Sequence, residues 1–102
     1  MASYSFVATE AFERDYDEAL AYIAYELGSP QAAMRMIDAM DVSIAKIEDD
    51  PLINAVSRKP THEALEYREE FVMNYVMLYR IERDQVIAKR LFHMTQDYES
   101  YV

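Results

Sequence analysis

The chain has 102 residues, which is enough for one domain with a single, modest hydrophobic core. Hydrophobic residues make up 52% of it, and one Gly and three Pro interrupt it, so an intrinsically disordered chain is excluded. The absence of Cys excludes disulfide frameworks and thiolate metal sites, and the net charge of −9 argues against broad binding to phosphate backbones.

The N-terminal segment has the pattern of a short strand followed by a helix. No basic region or long apolar run is present, so we expect a cytoplasmic protein without a membrane segment, in which residues 1–102 form one domain. Alternation of apolar and smaller side chains predicts a first strand over residues 4–8. Thr9 is a suitable N-cap for a helix that should end at Gly28, the single glycine, in the C′ position.

A second helix should begin at once, because Ser29 is a suitable N-cap and Pro30 suits the first helical position. Two helices joined by so short a loop are expected to pack as an antiparallel pair. This half of the chain is acidic: residues 1–53 contain eleven acidic and three basic side chains, whereas residues 54–102 contain eight acidic and seven basic ones. Any cationic surface is therefore expected in the C-terminal half.

The C-terminal half has the pattern of three strands. Residues 52–63 lose the helical periodicity and are predicted to form a loop. A half-buried strand should follow and end in a three-residue turn at residues 72–74, where Asn suits the left-handed conformation. Two strongly apolar strands then flank a two-residue turn at Arg83 and Asp84. The predicted order β-α-α-β-β-β is that of an α+β domain with a helical pair on one face of an antiparallel sheet.

The two turns determine which side chains share a face of the sheet. They pair Ile81 with Val86 and Tyr67 with Tyr79. The more apolar face, which should meet the helices, then contains alternate residues from Tyr75 to Ile81 and from Val86 to Phe92. The other face, which we expect to be open, should contain basic side chains over an apolar floor. The basic residues are Arg68, Arg80, Lys89 and His93. The apolar residues are Val76, Leu78 and Leu91.

Several of these positions also have a structural interpretation. Arg90, predicted on the helix face, suits an ion pair with an acidic helix residue such as Asp38 or Asp41. His93 is as well suited to a hydrogen bond with Asp97, which would hold the C-terminal turn, as to proton transfer.

Three short motifs in the C-terminal half are specific: Tyr-Arg at residues 79–80, Arg-Leu-Phe-His at residues 90–93 and Gln-Asp-Tyr at residues 96–98. Together with the passage ALAYIAYELGSPQAA, they resemble the toxins of the RelE/ParE superfamily, the toxic half of type II toxin–antitoxin pairs. The ending is similar to the R-V-L-H-x-x-x-D-Y ending common among ParE-like members. The resemblance implies a cognate antitoxin as partner. We predict no cofactor and no metal site, because His62 has no second ligand at metal-binding spacing and is interpreted as an ordinary surface residue.

The superfamily implies two unlike activities, and the fold alone does not choose between them. ParE-like members poison DNA gyrase by protein contact. RelE-like members cut mRNA on the ribosome without a metal, by attack of a 2′-hydroxyl on the adjacent phosphate. Such cleavage would need acid–base groups, for which the candidate catalytic residues are His93 and Arg68. Candidate residues for holding phosphate or the target are Arg80, Lys89 and Tyr98; Tyr98 equally suits anchoring of the C-terminal tail.

Gyrase inhibition is the favoured prediction. The third-strand arginine of RelE-like ribonucleases is replaced by Val76, and the net charge of −9 is poorly suited to docking on ribosomal RNA. A degenerate member that binds an antitoxin or itself without harm is a third alternative, and a homodimer is possible. The antitoxin should cover either the helical pair or the apolar floor of the open face, formed by Val76, Leu78 and Leu91. Antitoxins of the superfamily are usually acidic and their toxins basic, a complementarity that is weak here.

Overall fold

The computed structural model describes residues 4–98. Its helices and strands are, in chain order, β1 Ser5–Ala8, α1 Glu10–Ala21, α2 Pro30–Asp49, α3 Pro60–Ala64, β2 Arg68–Val72, β3 Tyr75–Glu82 and β4 Gln85–His93. A π-helical turn, Tyr22–Glu26, continues α1, and a 3-10 turn, Pro51–Ile53, follows α2. The predicted order of strands and long helices is confirmed.

The four strands form one sheet in the order β1-β4-β3-β2. β1 pairs with β4 in parallel, whereas the other two pairs are antiparallel, so the sheet is mixed rather than purely antiparallel. Both long helices pack on the same face, around a core that includes Met36, Met40, Ile47, Met77 and Tyr79, each 0% exposed. The predicted α+β class, with a helical pair on one face of the sheet, is confirmed.

The residues predicted to begin and end the helices do so. Thr9 accepts a hydrogen bond from the backbone N–H of Phe12 at 3.0 Å, and Ser29 accepts one from that of Ala32 at 3.2 Å. Gly28 follows the π-helical turn with φ +63°, a left-handed conformation that costs glycine little. These local signals therefore predict where both long helices begin and where the first one ends.

Residues 52–63 were predicted to form a loop, but the last part of this range is helical. Pro60 occupies the first position of α3, where its missing N–H is no loss, and Lys59 stands before it in an extended conformation. The short helix brings His62 to a fully buried position, 0% exposed, which also corrects the expectation of a surface residue.

The turn between β2 and β3 contains two residues, Met73 and Asn74, rather than the predicted three. Val72 therefore pairs with Tyr75, and Arg68 rather than Tyr67 pairs with Tyr79. Met73 adopts φ +54°, a left-handed conformation that its side chain did not signal. The shift of one residue moves Arg68 to the helix face of the sheet.

The hairpin of β3 and β4 has the predicted turn at Arg83 and Asp84, with Ile81 opposite Val86. Further along, Tyr79 is opposite Ala88 but Leu78 is opposite Arg90, which leaves Lys89 as the extra residue of a β-bulge. Side chains of β4 beyond the bulge therefore lie on the face opposite to the predicted one. Leu91 and His93 move to the helix face, whereas Arg90 and Phe92, which were predicted there, move away from it.

The hairpin turn yields a stability prediction, because Arg83 adopts φ +58°. A side chain in this conformation costs about 1 kcal/mol or more. We therefore expect Arg83→Gly to be about 1 kcal/mol more stable than Arg83→Ala in urea denaturation. Equal stability of the two variants would show that the turn is not constrained as described.

Candidate functional site

The basic residues predicted to converge on one face are distributed over both. Arg68 lies on the helix face, where its Nη1 donates to the backbone carbonyl of Asn54. Arg80 lies on the opposite face, with its Nε 3.4 Å from Oε2 of Glu82. The prediction that these side chains form one basic patch is therefore wrong, because the shorter turn before β3 separates them.

The other two predicted members are displaced by the bulge. Lys89 is the bulged residue itself. His93 lies on the helix side against Tyr75, at 5.1 Å between ring centroids, and its Nδ1 is 2.8 Å from the hydroxyl oxygen of Thr95. The imidazole thus helps to hold the turn that follows β4, as one of its two interpretations predicted, but through Thr95, whereas the prediction named Asp97.

Arg68 joins a polar network beneath α2. Asn54 donates to Oε1 of Glu70 at 2.7 Å and to the hydroxyl of Tyr79 at 3.2 Å, and Lys46 lies 2.7 Å from Oε2 of Glu70. The Tyr79 hydroxyl donates to the carbonyl of Pro51 at 2.8 Å. Burial raises the pKa of that hydroxyl. The network attaches the 3-10 turn to the sheet, so the role of these side chains is structural.

The face of the sheet away from the long helices is covered, not open. Val76 and Leu78 are 0% exposed beneath Tyr67, Leu65 and Phe92. Leu91 is on the other side, 4% exposed in the main core. A partner would therefore reach the predicted antitoxin-binding residues only by displacing side chains of this chain.

Tyr98 completes this cover. Its ring stacks at 6.3 Å on His62 and at 6.3 Å on Phe92, and Nζ of Lys59 lies 5.4 Å from its centroid. The buried imidazole of His62 has no hydrogen-bond partner within residues 4–98, and its Nδ1 is 3.9 Å from a carboxylate oxygen of Glu69. Tyr98 thus anchors the C-terminal segment, the structural alternative for this residue.

A groove opens on the helix side instead. A cavity of about 500 Å³ lies between α1 and the end of β4, and a second of about 180 Å³ lies between the π-helical turn and the turn after β2. Tyr22, Tyr75 and His93 line both cavities, so the two adjoin, and together we call them the helix–strand groove. Its lining includes the buried residues Ala19, Ile23, Met36 and Leu91.

Side chains occupy the hydrogen-bonding groups along the free edge of β4 beside this groove. β1 pairs with β4 only as far as Ala88. Residues 89–93 continue beside α1 with no strand on that side. Along this stretch, the Thr9 hydroxyl donates to the carbonyl of Lys89 at 2.9 Å, and the N–H of Leu91 donates to Asp15 at 3.0 Å. Gln96 similarly accepts from the N–H of His93 at 2.6 Å. These contacts satisfy groups that an edge strand would otherwise present to another chain.

Asp15 also holds Arg90. Oδ2 and Oδ1 of Asp15 lie 2.6 Å from Nε and 3.1 Å from Nη2 of Arg90. The predicted pairing of Arg90 with an acidic helix residue is correct in kind, but the partner is on α1 rather than at Asp38 or Asp41. Two oxygens of one carboxylate therefore join the helix to a side chain and to the backbone of β4.

Exposed apolar side chains surround the smaller cavity, and sequence reasoning missed them. Tyr22 is 49% exposed, Leu27 60% and Met73 47%, and all three line the cavity. Tyr25, in the same π-helical turn, is 83% exposed. The turn is defined by the hydrogen bond from Leu27 N–H to the carbonyl of Tyr22, and π-turns within helices are frequent at functional sites. The available signal was that Tyr22 and Tyr25 lie off the apolar stripe of the first helix.

No group of three or more His, Cys, Asp or Glu side chains within residues 4–98 is arranged to hold a metal ion. None of the helices formed by these residues has the length and hydropathy needed to span a bilayer.

Comparisons with known proteins give a consistent result. A family model described as the ParE toxin of the type II toxin–antitoxin system parDE matches residues 6–98. Solved structures with a similar fold include one described as a chromosomal ParDE toxin–antitoxin system from P. aeruginosa. That chain superposes with a TM-score of 0.69 and is 14% identical, over 89% of this chain and 96% of that one. The search of curated proteins gave no match.

The contacts of Asp15 predict a specific loss of stability. Asp15→Ala removes the partners of Arg90 and of the Leu91 N–H, so we expect the free energy of unfolding to fall by about 1–3 kcal/mol. Asp17→Ala is the matched control, because Asp17 is on the same helix and exposed; its effect should stay within about 0.5 kcal/mol. Urea denaturation measures both. Similar losses in the two variants would contradict the proposed role of the carboxylate.

The buried Tyr79 hydroxyl predicts how stability changes at alkaline pH. Its pKa is raised by burial above the unfolded value of about 10, so its contribution is complete below pH 10 and is lost as the pH rises through the folded pKa. Tyr79→Phe should cost about 1–2 kcal/mol at neutral pH and weaken the alkaline loss. Tyr16 and Tyr75, whose pKa values burial also raises, should leave part of that loss in place. The exposed Tyr25→Phe is the control, and an unchanged alkaline slope in Tyr79→Phe would contradict the prediction.

Proposed function

We propose, because this chain belongs to the ParE toxin family of type II toxin–antitoxin systems, that it arrests growth by binding DNA gyrase in the cytoplasm and that a cognate antitoxin neutralises it. The family match, over residues 6–98, covers nearly all of the chain. Its mode of action would be contact between proteins rather than cleavage of RNA.

The observation that carries the proposal is the separation of the four basic residues that a ribonuclease would need together. Cleavage of RNA requires positive groups around a single phosphate, in reach of an acid and a base. Arg68 is bonded to Asn54 on the helix face, and Arg80 lies on the opposite face beside Glu82. Their separation favours gyrase inhibition over the ribonuclease alternative.

Charge and exposure support the same choice. The net charge of −9 opposes close approach to ribosomal RNA, whereas it does not oppose contact with a protein surface. α2 presents Met34, Ile37 and Val42 to solvent, at 66%, 41% and 69% exposure. Exposed apolar side chains of this size gain free energy when another protein covers them. We therefore propose this outward side of α2 as the gyrase-contacting surface.

Inducible expression tests the function. We expect growth arrest with a DNA damage response and intact transcripts, and inhibition of supercoiling when the purified chain is added to gyrase. Co-expression of the protein encoded by the adjacent gene should restore growth. Cleaved transcripts would instead indicate the ribonuclease, and unhindered growth would indicate the inert alternative; either outcome overturns the proposal.

Paired variants test the contact surface. Met34→Ala combined with Val42→Ala should weaken inhibition of gyrase at least about tenfold, since truncating central apolar contacts is costly. Leu52→Ala combined with Ile53→Ala is the matched control, because these side chains are 62% and 52% exposed outside the helical pair. Both double variants should retain the urea midpoint of the parent protein. Equal inhibition by all three proteins would exclude α2 as the contact surface.

A further inference from the structure

We propose that the helical pair meets DNA gyrase at the positively charged surface on which that enzyme holds DNA, with carboxylates of α1 and α2 in the places of phosphates. Gyrase as the target rests on the proposed function, whereas the sign of the surface that is contacted follows from the charge of this chain. The side of the chain concerned, which we call the acidic helical surface, combines exposed acidic residues of both helices with exposed apolar residues of α2. Its members are Glu13, Asp17, Asp38, Asp41, Met34, Ile37 and Val42.

The helical pair carries most of the negative charge of the chain. Residues 10–49 contain ten acidic and three basic side chains, a balance of 3 − 10 = −7 out of the net −9. Two of these carboxylates, on Asp15 and Glu48, accept hydrogen bonds from strand N–H groups. The other eight belong to residues exposed to solvent: Glu10, Glu13, Asp17, Glu18, Glu26, Asp38, Asp41 and Asp49. Charge of one sign on one layer of the molecule attracts a partner surface of the opposite sign.

The carboxylates of the acidic helical surface are regularly spaced. Glu13 and Asp17 are four residues apart and Asp38 and Asp41 three, so each pair lies on one face of its helix, about 4.5–6 Å apart along the axis. Successive phosphates of one DNA strand advance by about 3.4 Å along its axis, a spacing of the same order. Asp41 also lies close enough to α1 for its charge to add to the effect of burial in raising the pKa of Tyr16.

These charges are not neutralised within the described part of the chain. None of the ion pairs formed by residues 4–98 includes Glu13, Asp17, Asp38 or Asp41. Like charges three or four residues apart destabilise a helix. A partner that supplies positive groups would remove this repulsion as well as gain the attraction, so the free chain is prepared for a basic partner.

Apolar side chains lie among the charges. Ile37 precedes Asp38 and Val42 follows Asp41, and the two apolar residues are 41% and 69% exposed. A helix face that only keeps a protein soluble is expected to be polar throughout. Burial of the apolar side chains would supply free energy of binding, and the carboxylates would set the orientation and the rate of association. This combination suits a folded protein partner with a basic surface.

The surface of gyrase that holds DNA has the required charge. An enzyme that binds duplex DNA neutralises the phosphates with Lys and Arg side chains placed along the path of the DNA. A second copy of this chain is a poor alternative, because two acidic helical surfaces would bring like charges together, and nucleic acid is disfavoured for the same reason. Occupation of that path would exclude DNA, which inhibits supercoiling without any catalytic residue on this chain.

Competition with DNA tests the surface of gyrase that is used. The probe is the labelled full chain, whose binding to purified gyrase is followed by fluorescence anisotropy. Duplex DNA should release the bound chain, whereas inorganic phosphate at the same phosphate concentration should not. The Kd of the chain for gyrase should also rise at least about tenfold between about 50 and about 200 mM salt. A chain that stays bound at saturating DNA, or an affinity independent of salt, overturns the inference.

Neutralised carboxylates test the surface of this chain. Asp38→Asn combined with Asp41→Asn should weaken inhibition of supercoiling about three- to tenfold at low salt, and the difference from the parent chain should shrink as salt is raised. Glu13→Gln combined with Asp17→Asn should behave in the same way. Neither double variant should lower the urea midpoint, because each removes a repulsion between like charges.

The matched control changes the net charge by the same two units elsewhere. Glu63→Gln combined with Asp84→Asn alters exposed residues on α3 and in the hairpin turn, both outside the helical pair. This control should inhibit gyrase as strongly as the parent chain. A loss equal to that of the helical variants would show general attraction to an acidic protein and would overturn the inference.

These measurements separate failure of the inference from failure of the proposed function. If the parent chain inhibits gyrase, but DNA does not displace it and the helical variants inhibit equally well, the contact with the DNA-holding surface is excluded while the toxin function stands. If the parent chain neither binds nor inhibits gyrase, the proposed function fails, and the inference fails with it.

Discussion

One extra residue in β4 determines how this molecule is arranged around its sheet. Because Lys89 has no residue opposite it, the side chains beyond it change faces, and Leu91 enters the core beneath the helices. The same shift brings His93 to the helix side, against Tyr75. Without the bulge, Arg90 rather than Leu91 would point at the helices, and burying its charge there would cost free energy.

The acidic side chains of the helices are part of the fold as well as of its surface. Asp15 of α1 holds the N–H of Leu91 at one strand edge, and Glu48 of α2 lies 3.3 Å from the N–H of Phe6 at another. Each carboxylate accepts from a strand that either continues past the end of its neighbour or has no neighbour on that side. The negative balance of the N-terminal half therefore has a structural cause in addition to keeping the protein soluble.

Sequence reasoning succeeded where a feature is encoded locally and failed where one residue in the register decided the outcome. Thr9, Ser29 and Gly28 predicted the helix boundaries, because caps and left-handed glycine depend on neighbouring residues alone. Met73 in a left-handed turn and Lys89 at a bulge carry no comparable signal. Missing the short turn at Met73 and the bulge at Lys89 was enough to predict a basic patch that the structure does not contain. The candidate groove was missed because its residues come from helix, turn and strand.

The two faces of the sheet consequently differ in what they leave for a partner. On the far face, the fully buried imidazole of His62 has no hydrogen-bond partner within residues 4–98, an unfavourable arrangement that its ring contacts with Tyr98 and Tyr67 offset. Opening that face would give up this packing. On the helix side, Tyr22 and Leu27 are already exposed beside a preformed depression. Binding there requires no local unfolding, so the side of the molecule that carries the acidic charge is also the one most readily used for recognition.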